Sequence, residues 1–180
     1  MSSLEGSLRA VRRLGLVAAI GLALPGCLQP LYGPTASGVP LQTILAAIEV
    51  DPITVPINQQ RLSHFVRSEL VYDLDGSGQP APKRYRLAIS VTTTIQSPIV
   101  DTTFGRANAS TLLGEATYTL TPIAGGAPVT TGKVVGSASY ERSPQRFAVV
   151  RAQRDAEIRL AKLLSEQIRN KLALSLRAAS

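Results

Sequence analysis

The sequence predicts an α+β fold: a four-stranded mixed β-sheet with two α-helices packed on one face. Three observations carry that expectation. Residues 85–95 and 112–120 alternate apolar and polar, the period of strands with one buried face. Residues 62–70 and 147–176 instead repeat apolar side chains every three or four positions, the period of amphipathic helices. A sheet with a single apolar face needs cover, and two such helices on one side supply it.

Taken in order, residues 40–53 place Ile44, Ala46, Ile48 and Val50 in alternation, which predicts a first strand ended by Pro52 and Pro56. Asn58 is a candidate helix N-cap. Leu62, Phe65, Val66 and Leu70 then make one apolar stripe, with Arg61, Ser63, Arg67 and Ser68 off it, so a helix is expected to about Tyr72. Residues 73–82 read as a loop by composition. In residues 85–95, Tyr85, Leu87, Ile89 and Val91 face one way and Arg86, Ala88, Ser90 and Thr92 the other. Residues 97–101 break the pattern. A third strand is expected within 104–121, where Leu112, Gly114, Ala116, Tyr118 and Leu120 share a face. Ala124-Gly125-Gly126 marks a hairpin turn, and residues 129–140 form the fourth strand with Val134, Ala138 and Tyr140 inward. Ser143 can cap a helix and Pro144 suits its first position. No Gly or Pro interrupts residues 147–176, so one long helix is expected. Val149, Ala152, Ala156, Leu160, Leu163 and Leu164 line one side, widened by Val150, Ala161, Ile168 and Leu172. Two i,i+4 pairs, Asp155 with Arg159 and Lys162 with Glu166, sit on the outer face.

The first 26 residues read as an address. Arg9, Arg12 and Arg13 precede an unbroken apolar run, residues 14–24. Eleven helical residues span only about 16 Å, well short of the ~30 Å hydrocarbon core, so the run fits a signal segment and not a membrane span. It ends in Leu24-Pro25-Gly26-Cys27, which resembles the lipobox of bacterial lipoproteins, with Pro25 where a small residue is usual. The resemblance implies cleavage before Cys27 and an N-acyl diacylglyceryl lipid on it; no other cofactor is expected. Residues 27–40 (Cys27 and the Pro-, Gly- and Ser-rich stretch after it) read as a lipidated tether, and residues 41–180 as one domain. Leu28, and not Asp, follows the Cys. By resemblance to enteric sorting rules, that implies the periplasmic side of the outer membrane.

The chain carries a net charge of +7, of which +2 belongs to the signal segment. That balance suits acidic partners such as phosphorylated lipids, and equally plain solubility. One Cys and one His leave no disulfide framework and too few ligands for a zinc site. Asp73, Asp75, Ser77 and Gly78 imitate the opening of a calcium loop, but position eight is Pro80 and position twelve is Arg84, a cation where a bidentate Glu belongs. No metal site is therefore expected. His64 is the only available base and has no nucleophile elbow near it, so no catalytic residues and no enzyme are expected. Lys83, Arg84 and Arg86 cluster at a strand start and are candidate contacts for the phosphates of lipopolysaccharide. They read equally well as a solvated strand end. Arg142 and Arg146 flank the start of the last helix and invite the same two readings. Nucleic acid is not an expected partner: export removes the chain from it, and no stacking aromatics accompany the charges.

Cys27-Leu28-Gln29-Pro30-Leu31-Tyr32-Gly33 resembles the start of mature lipopolysaccharide-assembly lipoproteins of the LptE family, of the alphaproteobacterial type. Ser137 to Tyr140, followed by Phe147-Ala148 opening a long helix rich in Ala, Leu and Ile, is similar to the end of that family. The element order matches its fold. The resemblance implies a plug in the lumen of the LptD outer-membrane β-barrel, support for that barrel's assembly, and help in delivering lipopolysaccharide to the outer leaflet. Two other readings compete with it: an auxiliary lipoprotein of a lipid-transport ABC system, and a lipid-anchored hydrolase, which the missing triad disfavours.

Overall fold

The strongest alternation in the sequence becomes the centre of the sheet. In the computed structural model, residues 38–53, 60–76, 81–97, 100–101 and 106–179 are described, all within the unit Pro34–Ser180. The signal segment, Cys27, most of the tether, Asn58, Ser77, Gly78 and Pro80 lie outside the described residues. Nine elements follow one another among those described: α1 (Leu41–Ala46), β1 (Ile48–Val50), α2 (Gln60–Asp75), β2 (Tyr85–Gln96), β3 (Val100–Asp101), β4 (Arg106–Ala107), β5 (Ala109–Pro122), β6 (Thr130–Glu141) and α3 (Arg146–Ala179). The main sheet has four strands in the order β1-β2-β5-β6. β1 pairs parallel with β2, and the other two pairings are antiparallel, so the sheet is mixed as expected. β3 and β4 form a separate two-stranded ladder.

The inward faces follow the sequence. Leu87, Ile89 and Val91 of β2, Leu112, Ala116, Tyr118 and Leu120 of β5, and Val134, Ala138 and Tyr140 of β6 are all buried. Gly125 and Gly126, with φ of 92° and 120°, make the β5–β6 turn, a backbone region that L side chains rarely adopt. Against the inward face lie α2 and α3. Arg61 donates to Glu157 at 2.9 Å, and Arg169 meets Asp73 at 3.7 Å, so the helices run parallel and in step. Glu157 is only 7 % exposed between them, and Gln153 donates to the same oxygen.

Three sequence expectations need correction. Residues 40–53 are not one strand. Leu41 and Leu45, both buried and four apart, belong to a short helix, and the true alternation is confined to Ile48, Glu49 and Val50. The loop expected from Asp73 starts later, because Leu70 and Leu74 extend the buried stripe of α2 by a full turn. A Cβ at Gly76 would collide with the Tyr72 carbonyl oxygen, so glycine marks that helix's end. The third strand expected within 104–121 is β5, which starts at Ala109 after a bend at Asn108, with the short β4 ending before it at Ala107. Finally, Ser143 does not cap α3. Its hydroxyl accepts from the Gln145 N–H at 3.2 Å, making a turn, and the helix begins two residues beyond Pro144 at Arg146. Asp155 and Arg159 do pair, at 2.8 Å.

Both edges of the sheet are closed by side chains of the helix layer. Along β6, Arg159 donates to the Ser139 carbonyl at 2.9 Å, Gln167 to Val135 at 3.2 Å and Lys171 to Lys133 at 3.1 Å. These donors recur at multiples of four residues on one face of α3, as a helix lying along a strand requires. On the far edge, Arg67 donates to the Val50 carbonyl at 3.3 Å. An unpaired strand edge is a template for unwanted pairing, and these bonds occupy it.

Tyr118 lies against Gly132, its partner in the β5–β6 register, where a Cβ would stand 2.5 Å from the phenol oxygen. The residue is 4 % exposed, and burial pushes its phenol above the usual tyrosine value. With the folded pKa raised, the stability tied to this group is complete below the unfolded value near pH 10. It is lost as pH rises from there through the folded pKa, because the unfolded chain ionises first. Urea titrations at about pH 9 and about pH 11 should show an alkaline loss that is smaller in Tyr118→Phe. An identical loss in both proteins would remove Tyr118 as its source.

Candidate functional site

Strand geometry places successive side chains on opposite faces, so burying one face of β2, β5 and β6 under helices presents the other. That other face is covered by no described element. Register assembles it into rows across the strands: Gln96, Thr111 and Ser139; Thr94, Leu113 and Ser137; Thr92, Glu115 and Val135; Ser90, Thr117 and Lys133; Ala88, Thr119 and Thr131. Thr111 and Ser139 hydroxyls lie 2.9 Å apart, and Lys133 pairs with Glu115 at 2.6 Å. A shallow depression of about 420 Å³ runs over Thr92, Thr94, Gln96, Leu113, Glu115 and Val135. Most of these groups are small hydroxyls. They offer both donors and acceptors, and they lose little rotamer freedom when bound. The alternation of β5 and β6 made this face legible in the sequence. Its rows were not, because register sets them.

The three clustered cations do not converge. Lys83 is spent inside the fold: its ammonium donates to Asp75 at 2.6 Å and to the Ala46 carbonyl at 2.7 Å, pinning the ends of α1 and α2 to the start of β2. Arg86 projects toward the open face and lies 3.6 Å from Asp51. Arg84 is exposed, and its guanidinium meets no partner among the described residues. Contiguity in the sequence thus produced one structural lysine, one half-engaged arginine and one free one. Arg84 stands beside a groove of about 310 Å³ between α1 and residues 81–85, lined by Val39, Thr43, Ile44, Ala47, Pro82 and Tyr85.

The other residues with chemical potential are accounted for locally. Asp73 and Asp75 sit in the last turn of α2 and not in a loop, and each faces a cation, Arg169 and Lys83 respectively. His64 is exposed on α2, its ring 6.1 Å from Phe65, with no hydrogen bond to it among the described residues. No group of three or more His, Cys, Asp or Glu that could hold a metal ion exists among the described residues.

At the second cationic region, where the sequence had marked Arg142 and Arg146, sequence reasoning missed the exposed apolar side chains of the helix start. The first turns of α3 project beyond the start of α2, which aligns with Glu157. Val150, expected in the apolar stripe, is therefore exposed, and Phe147 is 75 % exposed beneath the Arg151 guanidinium, 5.7 Å from its ring centre. Arg142 and Arg146 are exposed at the same end of the sheet. Only the pairing of the two helices, set by Arg61 and Glu157, shows which turns stay uncovered.

These features define a two-layer α+β protein with one sheet face covered by helices and the other covered by no described element. No protein-family profile matches the chain, and no curated protein matches it. A solved structure does: a candidate lipoprotein from Caulobacter crescentus CB15 superposes with a TM-score of 0.61 at 23 % identity, over 78 % of this chain and 97 % of that one. At that identity the likeness establishes a shared fold. A minor lipoprotein from Acinetobacter baumannii (TM-score 0.44, 14 % identity, 69 % of this chain and 93 % of that one) aligns less closely, and nothing is built on it. The same holds for rare lipoprotein B from Shewanella oneidensis (0.43, 14 %, 70 % and 98 %).

Proposed function

We propose that this protein is an exported lipoprotein, lipidated at Cys27, that fills the lumen of an outer-membrane β-barrel of the LptD kind and helps deliver lipopolysaccharide to the outer leaflet. It acts by binding, with no catalytic step. The observation that carries this reading is the open sheet face: hydroxyl-rich rows along strands of 12 to 14 residues, about 40 Å of surface. Barrel interiors are polar, and a face of short donors and acceptors can bond to such a wall. The Cys27–Gly33 start supports the same reading, and the fold shared with the Caulobacter candidate lipoprotein supports its lipoprotein part.

The test is photo-crosslinking from the open face. A crosslinking residue at Thr94 or Thr117 in the full chain, expressed in its own envelope, should capture a large β-barrel protein, and one at the solvent side of α2, at Ser68, should not. Capture of an inner-membrane transporter complex alone, with no barrel, would replace this reading with the ABC-system one.

A further inference from the structure

The geometry points to the groove beside Arg84 as a seat for an acyl chain and phosphate of an anionic phospholipid from the membrane that carries the protein's own anchor. The proposal rests on the anchoring part of the reading above and goes beyond it, since neither the barrel nor lipopolysaccharide requires such a seat. The groove's walls are α1 on one side and residues 81–85 on the other. They are fastened by three bonds: the Arg84 N–H to the Ala47 carbonyl at 2.8 Å, the Tyr85 N–H to the same oxygen at 3.2 Å, and Lys83 to the Ala46 carbonyl at 2.7 Å. A cleft held open in this way incurs little ordering cost when filled.

Its chemistry has two parts. Val39, Ile44, Ala47, Pro82 and Tyr85 give an apolar lining, suited to hydrocarbon. At its rim stands Arg84, the one member of the local cation cluster whose side chain meets no partner among the described residues, and its planar fork suits a phosphate. Sequence distance sets the reach. Val39, in the lining of the groove, is twelve residues from Cys27, so an extended tether spans at most about 40 Å between them. The Arg146 and Phe147 region lies at the opposite end of strands about 40 Å long. Ile123, exposed and bonded through its N–H to the Arg84 carbonyl, adds an apolar side chain at the same end.

The chain contains no Trp, so one can be introduced as a reporter. The full chain carrying Tyr85→Trp, or Val39→Trp if the first fails to fold, is mixed with vesicles whose acyl chains are brominated. Quenching is expected with phosphatidylglycerol and much less with phosphatidylcholine. Arg84→Gln should raise the phosphatidylglycerol fraction needed for half-quenching about fivefold, the worth of one cation at an anionic surface. Thr43→Glu, at the groove rim, should act the same way, and Arg146→Gln should change nothing. Equal quenching by both lipids, indifference to Arg84→Gln, or quenching by lipid A alone would overturn the proposal. Mass spectrometry of the same preparation reports whether Cys27 carries acyl chains, so failure of the anchor and failure of the groove are read separately.

Discussion

Leu160→Ala is expected to cost about 3–5 kcal/mol of folding stability, the upper part of the range for such truncations, read as a lower urea midpoint with an unchanged slope. The reason is local. Leu160 is fully buried, and its methyl groups press on the sheet where Gly114 and Gly136 stand opposite each other in the β5–β6 register. A Cβ on Gly114 would come within 2.9 Å of Leu160, and one on Gly136 within 2.8 Å of Leu163. The helix therefore sits in a notch floored by bare backbone, and no neighbouring side chain on that floor can swing in to fill the cavity that truncation leaves. The same geometry predicts the converse. Gly114→Val should overpack the notch and cost about 1–3 kcal/mol. Combining Gly114→Ala with Leu160→Ala should recover stability relative to Leu160→Ala alone, because the new methyl occupies the vacated space. A double-mutant cycle reads that coupling, and strictly additive costs would show that the notch does not set the helix position.

The notch also shows where reading a sequence stops. Gly114 was legible as a member of an inward face, since its neighbours two residues away, Leu112 and Ala116, are apolar. That it meets Leu160 depends on the placement of α3, which no local pattern encodes. Elements with strong, uninterrupted periodicity came through: β2, β5, β6 and the body of α3. Errors fell where two periods overlap. Ile44, Ala46, Ile48 and Val50 alternate, yet Leu41 and Leu45 are also four apart, and the helical pair prevailed because both leucines are buried. The site divides in the same way. The open face follows from alternation, which is local. The fates of Lys83, Arg84 and Arg86 follow from Asp75, Ala46 and Asp51, brought to them by the fold, and Arg61 finds Glu157 across 96 residues.

Cys27→Ser is expected to abolish palmitate incorporation and to remove the mature-length band. The exchange alters one atom, and on the proposed reading that atom is the nucleophile: a free thiol ionises near pH 8.5 and attacks as thiolate, whereas a serine hydroxyl is a far weaker nucleophile without a base beside it. Without the sulfur-linked glyceride the signal is not cut, so the chain should remain at precursor length and fractionate with the inner membrane through residues 14–24. The effect should be all or none. No helix among the described residues is long and apolar enough to cross a membrane. Three acyl chains at ~0.8 kcal/mol per buried methylene hold a protein almost permanently, and a single Arg or an exposed Ile cannot substitute for them. Globomycin on the wild type should accumulate a lipidated precursor, which separates failure of cleavage from failure of acylation. Should the serine variant reach mature length and the outer membrane in normal amounts, the anchor would have to lie elsewhere, and the barrel-plug reading would lose its point of attachment.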